Sequence, residues 1–385
     1  MASLFYTRLI RWLHDSYAWI CYIFKIPLQA ITSKAVFPYA EKVIPIQTEG
    51  RSQISHPLEE ALYSQGKMDH LVKWPNVSML ELRDVFLTGD HAQVFLQDDR
   101  VLQICPSMAS QKGRRTRRPL KFLAKKIEAP LFHLTGKNHE NHGHFLVDHL
   151  PRLFACRPHL RPNIKILLAE KHARWKLRYL RLLGFSDDDI VTTSSGTLAA
   201  PHLFYAPMLR GNTPLGDPSI LQTMFKEMRE RLAAQNSSPS EKSSPYKAIW
   251  ISRKNAPDRR LENEDELVKE TEQILQGPVL SLELVGLSLA QQIQTLNQAE
   301  WIIGAQGQGL INTAFVTGKR VVILDTGTSN APYTWSTAFA DIAALSSNQA
   351  LRLFAESGDL KKQNWSYPIE RFRKEMMSSL KYERL

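Results

Sequence analysis

The second half of the chain alternates short apolar runs with segments of helical periodicity, and this alternation limits the fold more than any other feature of the sequence. The apolar runs are typical of strands, and the segments between them are typical of amphipathic helices. In order, the segments are YKAIWISR, LENEDELVKETEQIL, VLSLELVG, SLAQQIQTLNQA, EWIIGAQGQG and KRVVILD. Strands that alternate with helices build a parallel sheet. The sequence therefore predicts an α/β protein with a Rossmann-like second half.

The first half contains the same alternation over a shorter stretch. IKILLA and DIVTT are predicted strands on either side of the predicted helix ARWKLRYLRLLG. Residues 82–104 are predicted to form an entry β-meander, because turn residues divide their apolar runs. Residues 233–247 are rich in Ser, Pro and charge, which is typical of a flexible connection between domains.

The chain has 385 residues, which is long enough for two structural units. We predict an N-terminal segment at 1–40, a first α/β domain at 41–235, a Rossmann-like domain at 246–345 and a C-terminal helical segment at 346–385. The helix predicted in the last segment is expected to pack across or on the first domain.

Basic residues outnumber acidic residues by 49 to 38, and the formal net charge is +11. A surface of this charge attracts polyanions, phosphorylated ligands or an anionic membrane, and the charge alone does not choose among them. Lysines and arginines crowd residues 111–126, which we interpret as an exposed basic loop. Apart from Phe122 this run lacks aromatic residues, so it favours a solvated or membrane-facing loop over an RNA-binding segment.

The N-terminal segment is rich in aromatic and aliphatic residues, but its longest uncharged run covers only residues 16–24. That is under half of the roughly 20 residues that a helix needs to span a bilayer. Two interpretations stay open, an amphipathic helix in the membrane interface or a helix that packs on its own protein. Cys21, Cys105 and Cys156 show no metal-ligand or paired spacing, which favours free thiols in a reducing compartment.

A glycine-rich turn follows the predicted strand EWII. Gly304, Gly307 and Gly309 stand in the sequence GAQGQGLIN, which leads into a helix-like segment. Small residues at such a turn let backbone N–H groups approach a phosphate, and a helix that begins there adds a favourable dipole. The turn is a predicted phosphate site, although a tight turn needed only for packing would show the same pattern.

Cationic and polar residues follow the first strand of the same half. Arg253 ends this strand, and Arg260, Asn263 and Glu264 precede the next helix. They belong to the carboxyl edge of the predicted sheet, where ligands bind in open α/β proteins. Guanidinium groups can hold a diphosphate and stabilise its departure without a metal. Each arginine alone would be a solvated surface charge, but together with the glycine turn they indicate a site.

The first half carries a histidine-rich segment, NHENHGHFLVDHLPR, at residues 138–152. If it is helical from about Gly143, His144 and Asp148 share one face, where a carboxylate can orient an imidazole. Either group could accept a proton from a hydroxyl. The histidines also allow a zinc site, although the spacing of familiar helical zinc ligands is absent. A helix start with capping residues and a buried histidine is the structural alternative.

In this order, the three segments resemble glycosyltransferase family 61 over roughly residues 75–345. The family's motifs are an Asn…His…Asp…Pro-Arg segment, a strand ending in Ser-Arg followed by Arg and Asn-Glu, and a glycine-rich turn ending in Asn. The matching residues are Asn141, His142, His144, Asp148, Pro151 and Arg152, then Ser252, Arg253, Arg260, Asn263 and Glu264, then 304–312. The chain has Gln306 and Gln308 where the family often has His and Ala, which leaves the donor base and sugar undetermined.

The resemblance implies a GT-B arrangement, in which two Rossmann-like domains face each other across a cleft, with an acceptor-side domain at 41–235 and a donor domain at 246–345. It also implies an inverting transfer from a nucleotide-sugar donor to a glycan or other hydroxyl acceptor, with no cofactor and no obligatory metal. Asp148 is then the expected base, with His144 as its neighbour or substitute. Asn141, His142 and Arg152 are expected on the acceptor side.

Donor binding is expected from the residues of the second half. They are Arg253, Arg260, Asn263, Glu264, Gln306, Gly307, Gly309 and Asn312. The two arginines would hold the diphosphate, and the glycines with Asn312 would shape the nucleotide pocket. Glu264 would fix the geometry of an arginine rather than perform chemistry.

The acidic triplet Asp187-Asp188-Asp189 invites comparison with the motif that holds a divalent metal on a nucleotide sugar in other transferases. Because it follows Gly184 at the end of a predicted helix and precedes the strand IVTT, we interpret it as a capped surface turn.

The expected partners are a nucleotide sugar, a glycan acceptor and an anionic membrane surface, with no nucleic acid and no prediction of oligomeric state. Without a predicted spanning segment, we expect a bacterial-type enzyme of capsule or other cell-surface polysaccharide synthesis, cytoplasmic and peripheral at the inner face of the membrane.

Three alternatives stay open. The first is a non-catalytic sugar-nucleotide or glycan-binding protein with the same fold, which Gln306 and Gln308 favour. The second is a basic protein that associates with nucleic acid. The third is a metal-dependent hydrolase that uses His139, His142, His144 and Asp148.

Overall fold

The computed structural model describes residues 30–31, 40–54, 71–89, 92–98, 100–102, 119–136, 138–169, 173–193, 196–210, 215–235, 245–257, 259–327, 335–355 and 364–381. Nearly all of the predicted N-terminal segment, half of the basic run and part of the predicted connection at 233–247 lie outside these residues. The chain divides into two compact units, formed by residues 1–50 with 74–211 and by residues 51–73 with 212–385.

The strands of the first part of the chain form one large sheet and one small sheet. In chain order they are β1 (Ala30–Ile31), β2 (Ala40–Gln47), β3 (Gly50–Gln53), β4 (Leu71–Trp74), β5 (Val77–Thr88), β6 (Gln93–Phe95), β7 (Val101–Leu102), β8 (Lys125–Lys126), β9 (Leu131–His133), β10 (Lys165–Ala169), β11 (Ile190–Thr193) and β12 (Thr197–Tyr205). Strands β3 and β4 pair with each other, and the other strands share the large sheet.

The large sheet of the first unit is mixed. Its order is β1-β7-β6-β5-β12-β9-β10-β11, with β2 also on β5 and β8 also on β12. Strands β5, β6 and β7 form an antiparallel meander, whereas β12, β9, β10 and β11 run parallel. Because β12 is antiparallel to β5, the sheet differs from the all-parallel sheet expected of a Rossmann-like domain. Its core contains buried aliphatic residues such as Leu80, Leu82 and Leu203.

Helix α1 follows β9 and contains a π-helical turn. It comprises His142–His144, the π turn Phe145–His149 and Leu150–Cys156. Pro151 has no N–H group and cannot continue the α-helical ladder of hydrogen bonds. One residue earlier, the N–H of Leu150 bonds to the carbonyl of Phe145, five positions back, which widens the helix. All residues of the π turn are buried.

The acidic triplet Asp187-Asp188-Asp189 lies in a short turn after helix α2 (Ala173–Leu182). This is a 3₁₀ turn at Asp187–Asp189. The carboxylate of Asp189 accepts the backbone N–H of Ser186 and so caps this turn, and Asp187 forms an ion pair with Arg181. The capped surface turn predicted for the acidic triplet is confirmed.

Cys156 is a buried free thiol, and burial raises its pKa to about 12. Cys21 and Cys105 lie outside the described residues.

The second unit is built on a parallel sheet. Its elements are α3 (Pro218–Gln235), β13 (Tyr246–Ile251), α4 (Glu264–Leu275), β14 (Val279–Leu282), α5 (Leu289–Asn297), β15 (Ala299–Ala305), a 3₁₀ helix at Gln308–Phe315, β16 (Arg320–Asp325), α6 (Trp335–Leu345), β17 (Gln349–Phe354) and α7 (Ile369–Lys381). The described strands are all parallel in the order β14-β13-β15-β16-β17. Buried Trp250 and Trp301 lie in its core.

This strand order has a switch point between β13 and β15. Strand β14 follows β13 in sequence and lies on one side of it, whereas β15 lies on the other side. After β13 the chain therefore continues to one side of the sheet, and after β15 it continues to the other. In open α/β sheets, ligands bind outside the carboxyl ends of the strands at such a point. Arg253 follows the end of β13, and Gly307 follows the end of β15.

Helix α3 belongs to the second unit rather than to the first predicted domain. The ring of Phe225 lies 5.7 Å from that of Phe315, and Nη1 of Arg229 donates to the carbonyl of Ala314 at 2.7 Å. These contacts attach α3 to the 3₁₀ helix after β15. The compact units consequently divide near residue 211, upstream of the predicted connection at 233–247.

The C-terminal residues extend the second unit. Strand β17 pairs with β16 at the edge of the parallel sheet, and α7 packs on α4. There Nε and Nη2 of Arg373 bond to the two carboxylate oxygens of Glu270 at 2.6 and 2.7 Å. The C-terminal helix therefore packs within the second unit. No helix in the described part of the chain has the length and apolar character needed to cross a membrane.

Candidate functional site

Asn141 begins helix α1 and fixes the histidine that follows it. Its backbone is extended, and its side-chain Oδ1 accepts the backbone N–H of His144 at 3.1 Å. This bond is a helix N-cap, which satisfies one of the donors that every helix start leaves open. Asn141 therefore sets the backbone geometry of the first turn.

His144, Asp148 and Arg210 form a hydrogen-bonded row in the first unit. Nδ1 of His144 lies 2.6 Å from Oδ2 of Asp148, one turn further along α1. Arg210, just after β12, donates from Nε to Oδ1 of Asp148 at 2.6 Å and from Nη2 to Oδ2 at 3.4 Å. An ionised carboxylate only accepts hydrogen bonds, so Nδ1 of His144 carries the shared proton.

The members of this row differ in their access to solvent. The side chain of Asp148 is 0% exposed, that of His144 is 15% exposed and that of Arg210 is 26% exposed. Both oxygens of Asp148 are engaged, and His144 is the proton-accepting group that a substrate can reach. Nε2 of His144 lies 3.3 Å from Nδ2 of Asn138, whose φ of 59° is one that asparagine tolerates better than most residues.

His142 connects helix α1 to helix α2. Its Nε2 shares a hydrogen bond with the hydroxyl of Tyr179, and its ring lies 5.6 Å from Trp175 and 5.5 Å from Tyr179. Burial raises the pKa of Tyr179 to about 12, which keeps this phenol neutral. His142 thus holds the start of α1 against an aromatic cluster.

A buried lysine lies beside the same cluster. Nζ of Lys176 is 2.9 Å from Nδ1 of His139 and lies over the rings of Phe145 and Trp175. Burial lowers the pKa of Lys176 to about 8, and no carboxylate bonds to it directly among the described contacts.

Arg152 is buried and bonded to backbone. It donates to the carbonyls of Ala206, Thr135 and His133 at 2.7, 3.2 and 3.0 Å. Burial lowers its pKa, although a guanidinium stays charged. These bonds attach α1 to the ends of β9 and β12, so the structure places Arg152 beneath the site rather than at an accessible acceptor surface.

The histidines of the 138–152 segment have separate partners and do not converge. In the described ranges, one group has the spacing of metal ligands, and it consists of Glu41, Glu81 and His202. Glu41 pairs with Arg83 and Glu81 pairs with Arg161. Arginines therefore already compensate both carboxylates of that group.

In the second unit, Arg253 lies directly against the glycine-rich turn. A Cβ atom on Gly307 would meet Nη1 of Arg253 at 2.3 Å, so a side chain here would displace the guanidinium from its position. The φ of Gly307 is −173°, which any residue can adopt, so a larger residue would act through the space that it takes and not through backbone strain. Both residues lie at the switch point of the sheet.

The neighbouring glycines bring the turn close to β13. A Cβ on Gly309 would meet Cγ2 of Ile251 at 2.9 Å, and one on Gly304 would meet the carbonyl oxygen of Ile251 at 3.1 Å. On the other side, the N–H of Gln306 donates to the carbonyl of Leu324 at 2.8 Å. The turn is thereby held between β13 and β16.

Glu264 positions the backbone of Arg253. It is the first residue of α4 and is 1% exposed, and its Oε2 accepts the N–H of Arg253 at 3.1 Å. The helix dipole favours a carboxylate at this end. Its other oxygen, Oε1, is buried and has no hydrogen-bond partner among the described residues.

Asn263 and Arg260 contact the C-terminal part of the unit. Asn263 donates to the carbonyl of Tyr367 at 2.8 Å and accepts its N–H at 3.1 Å. Arg260 is exposed, and its N and Nε donate to Oδ1 of Asn364 at 3.2 and 3.4 Å. The side-chain amide of Asn263 is therefore engaged in hydrogen bonds to the backbone, whereas the guanidinium of Arg260 is accessible to solvent.

The side chain of Asn312 also bonds within the protein. It is 2% exposed, and its Nδ2 donates to Oε1 of Gln292 at 2.7 Å. Gln292 in turn donates to the carbonyls of Leu284 and Leu287, each at 2.9 Å. This chain of bonds fixes the loop after β14.

Residues 142–323 match the family model of glycosyltransferase 61, and they contain both the His144–Asp148 pair and the Arg253–Gly307 contact. The resemblance to glycosyltransferase family 61 is confirmed. The match covers just under half of the chain. The description of this family indicates glycosyltransferase activity.

No curated protein matches the chain. The matching solved structures include a short-chain flavodoxin associated with a PDU bacterial microcompartment, with 16% identity, a TM-score of 0.23 and coverage of 35% of this chain and 95% of its own. They also include the flavodiiron protein from Giardia intestinalis, with 7% identity, a TM-score of 0.23 and coverage of 49% and 43%. TM-scores this low do not establish a common fold.

Reasoning from the sequence missed two residues that bond to the His144–Asp148 pair. Arg210 lies 62 positions from Asp148, and no local spacing connects the two. Asn138 is six positions from His144 and was visible within the histidine-rich segment, but only its donor bond to Nε2 distinguishes it from other loop residues.

Proposed function

We propose that the protein is an inverting glycosyltransferase that moves a sugar from a nucleotide-sugar donor to a hydroxyl acceptor. The observation that carries the proposal is the pair formed by His144 and Asp148, in which a buried carboxylate orients an imidazole that stays accessible. A general base needs this combination of orientation and access. Family 61 supplies the class of reaction.

His144, rather than Asp148, is the proposed base. Asp148 is fully buried and both of its oxygens are engaged, so a substrate hydroxyl cannot reach it. In the proposed step, Nε2 of His144 accepts the hydroxyl proton while the hydroxyl oxygen bonds to the anomeric carbon. The bond from that carbon to the diphosphate oxygen breaks on the opposite face, and its electron pair leaves with the nucleoside diphosphate. Asp148 then stabilises the imidazolium.

Arg253 is the proposed ligand of the donor diphosphate. Its position at the switch point of a parallel sheet, against the backbone of Gly307, supports this role. A guanidinium offers charge and paired donors to phosphate oxygens, and it can stabilise the departing diphosphate. Arg260 is accessible on the same segment and is a second proposed ligand. The proposal assigns no step to a metal ion.

The two units have different proposed tasks. The first unit would supply the base and bind the acceptor, and the second would bind the donor, which is the division of labour in the GT-B arrangement. Synthesis of capsule or another cell-surface polysaccharide at the inner face of the membrane is proposed as the setting. The net charge of +11 and Phe122, which is 82% exposed beside exposed Lys125 and Lys126, support peripheral attachment to an anionic membrane.

Calorimetry and thermal shift with UDP, GDP, CMP and their common sugar conjugates test the donor site, with and without a chelator. We expect one nucleotide to stabilise the protein in both conditions and its sugar conjugate to support transfer. His144→Gln and Asp148→Asn should then lower kcat by about 100-fold. Nucleotide binding without transfer to any acceptor would favour the non-catalytic alternative, and unchanged kcat in His144→Gln would reject the proposed base.

A further inference from the structure

Arg210 completes the hydrogen-bonded row of the first unit from a distant part of the chain. Its Nε donates a hydrogen bond to Oδ1 of Asp148 at 2.6 Å, and its Nη2 donates to Oδ2 at 3.4 Å. Two donors of one planar guanidinium thus bind both oxygens of one carboxylate, which fixes the plane of the carboxylate as well as its position. A lysine ammonium is a point charge and cannot impose that plane.

The plane of Asp148 controls the state of His144. Oδ2 faces Nδ1 at 2.6 Å and can only accept, so the imidazole proton stays on Nδ1 and the lone pair stays on Nε2. The donor Nδ2 of Asn138 lies 3.3 Å from Nε2 and matches this arrangement. If the carboxylate rotated, Nδ1 would lose its acceptor, and the imidazole could adopt the tautomer with its proton on Nε2.

We propose that Arg210 is a positioning residue for the general base. By binding both oxygens of Asp148, it holds His144 in the tautomer whose Nε2 is unprotonated. The catalytic consequence rests on the proposed function, in which Nε2 accepts the proton of the acceptor hydroxyl. The tautomer itself is a property of the free protein and does not depend on that function.

Arg152 does not duplicate this role. It lies one turn beyond Asp148 on α1, but its donors bind the carbonyls of Ala206, Thr135 and His133. In the part of the chain that the structure describes, Arg210 is the arginine that forms an ion pair with Asp148. Loss of Arg210 would therefore leave the imidazole of His144 as the side chain that pairs with this carboxylate among the described residues.

Nuclear magnetic resonance of the full-length protein labelled with ¹⁵N-histidine measures the tautomer without turnover. Long-range ¹H–¹⁵N correlations distinguish the two neutral tautomers, and His144→Gln assigns the signal. We expect the Nδ1–H form in the wild type and a mixture of tautomers in Arg210→Gln and Arg210→Lys. Arg83→Gln is the matched control, because it removes an arginine from an exposed pair with Glu41, and it should leave the signal unchanged.

Kinetics supply the second readout. In the transfer assay, Arg210→Gln should lower kcat by about 100-fold and leave the donor KM within about twofold, as expected when an oriented base is lost. Guanidinium ion added to Arg210→Ala should restore part of kcat and of the Nδ1–H signal, which a general loss of structure would not allow. Where Arg210→Gln fails to fold, Arg210→Lys keeps the charge and tests the planar geometry alone.

The outcomes separate the two proposals. An Nδ1–H signal that is unchanged in folded Arg210→Gln and Arg210→Lys overturns the positioning role. A wild-type signal that depends on Arg210, in a protein that transfers no sugar, supports the positioning role and rejects the proposed function.

Discussion

The guanidinium of Arg253 occupies the space that a side chain at Gly307 would take. A Cβ at Gly307 would lie 2.3 Å from Nη1 and 3.1 Å from Cδ of Arg253. Because one residue follows β13 and the other follows β15, this contact joins the two strands at the switch point of the parallel sheet at their carboxyl ends. It also places the positive charge of Arg253 on the glycine-rich turn.

Gly307→Ala should therefore weaken donor binding by displacing Arg253. We expect the dissociation constant of the nucleoside diphosphate to rise by about tenfold, in line with the loss of one charge-assisted hydrogen bond. Calorimetric titration of the wild type, Gly307→Ala, Arg253→Gln and the double variant measures it. If the glycine acts through the arginine, the double variant binds no worse than Arg253→Gln, whereas additive losses would contradict the argument.

Asn263 was expected at the donor site, yet its amide bonds to the backbone of Tyr367 in both directions. Asn263→Ala should lower the free energy of unfolding by about 2 kcal/mol, because two hydrogen bonds are lost. Nucleotide affinity in the folded variant should stay within about twofold of the wild type. Chemical denaturation and calorimetry measure the two effects, and a selective loss of affinity without loss of stability would restore Asn263 to the donor site.

Local periodicity predicted the second unit well. Each strand and helix there has its own apolar pattern, and the parallel order follows from their alternation. The spacing of His144 and Asp148 also predicted that they share a face of α1, and Nδ1 of His144 lies 2.6 Å from Oδ2 of Asp148 even though Asp148 belongs to the π turn. These features depend on residues that are close in sequence.

Features that depend on distant residues could not be predicted. Arg210 reaches Asp148 from 62 positions away, and the buried amide of Asn312 bonds to Gln292 on another helix. Helix α3 joins the second unit because its apolar face packs on Phe315, although a Ser- and Pro-rich run separates it from β13 in sequence. This Ser- and Pro-rich run therefore falls within the sequence range of the second compact unit.

Phe122 offers a test of membrane attachment. It is 82% exposed and lies on a 3₁₀ turn, three positions before the exposed pair Lys125 and Lys126. We expect binding to vesicles of phosphatidylcholine with phosphatidylglycerol that weakens with salt, and Phe122→Ser should lower the partition coefficient by about tenfold. Val285→Ser is the control, since Val285 is 88% exposed on the other unit. Equal losses in both variants would show that Phe122 is not an anchor.

Lys176 should make the stability of the protein depend on pH. Burial lowers its pKa from the ordinary value of 10.5 to about 8 in the folded protein. Between these two values the unfolded chain holds a proton that the folded protein has released, so stability increases with pH across this window. Below about pH 8 the lysine is charged in both states, and the cost of burying that charge is fully present.

Lys176→Met removes this titration while it keeps a long side chain among Phe145 and Trp175. Relative to the variant, the wild type should gain up to about 3 kcal/mol of stability as the pH rises from 8 to 10.5. Tyr179 and Cys156 have raised pKa values in both proteins, so their effects cancel in the difference. Urea denaturation at successive pH values measures it, and parallel curves would show that Lys176 keeps its proton throughout.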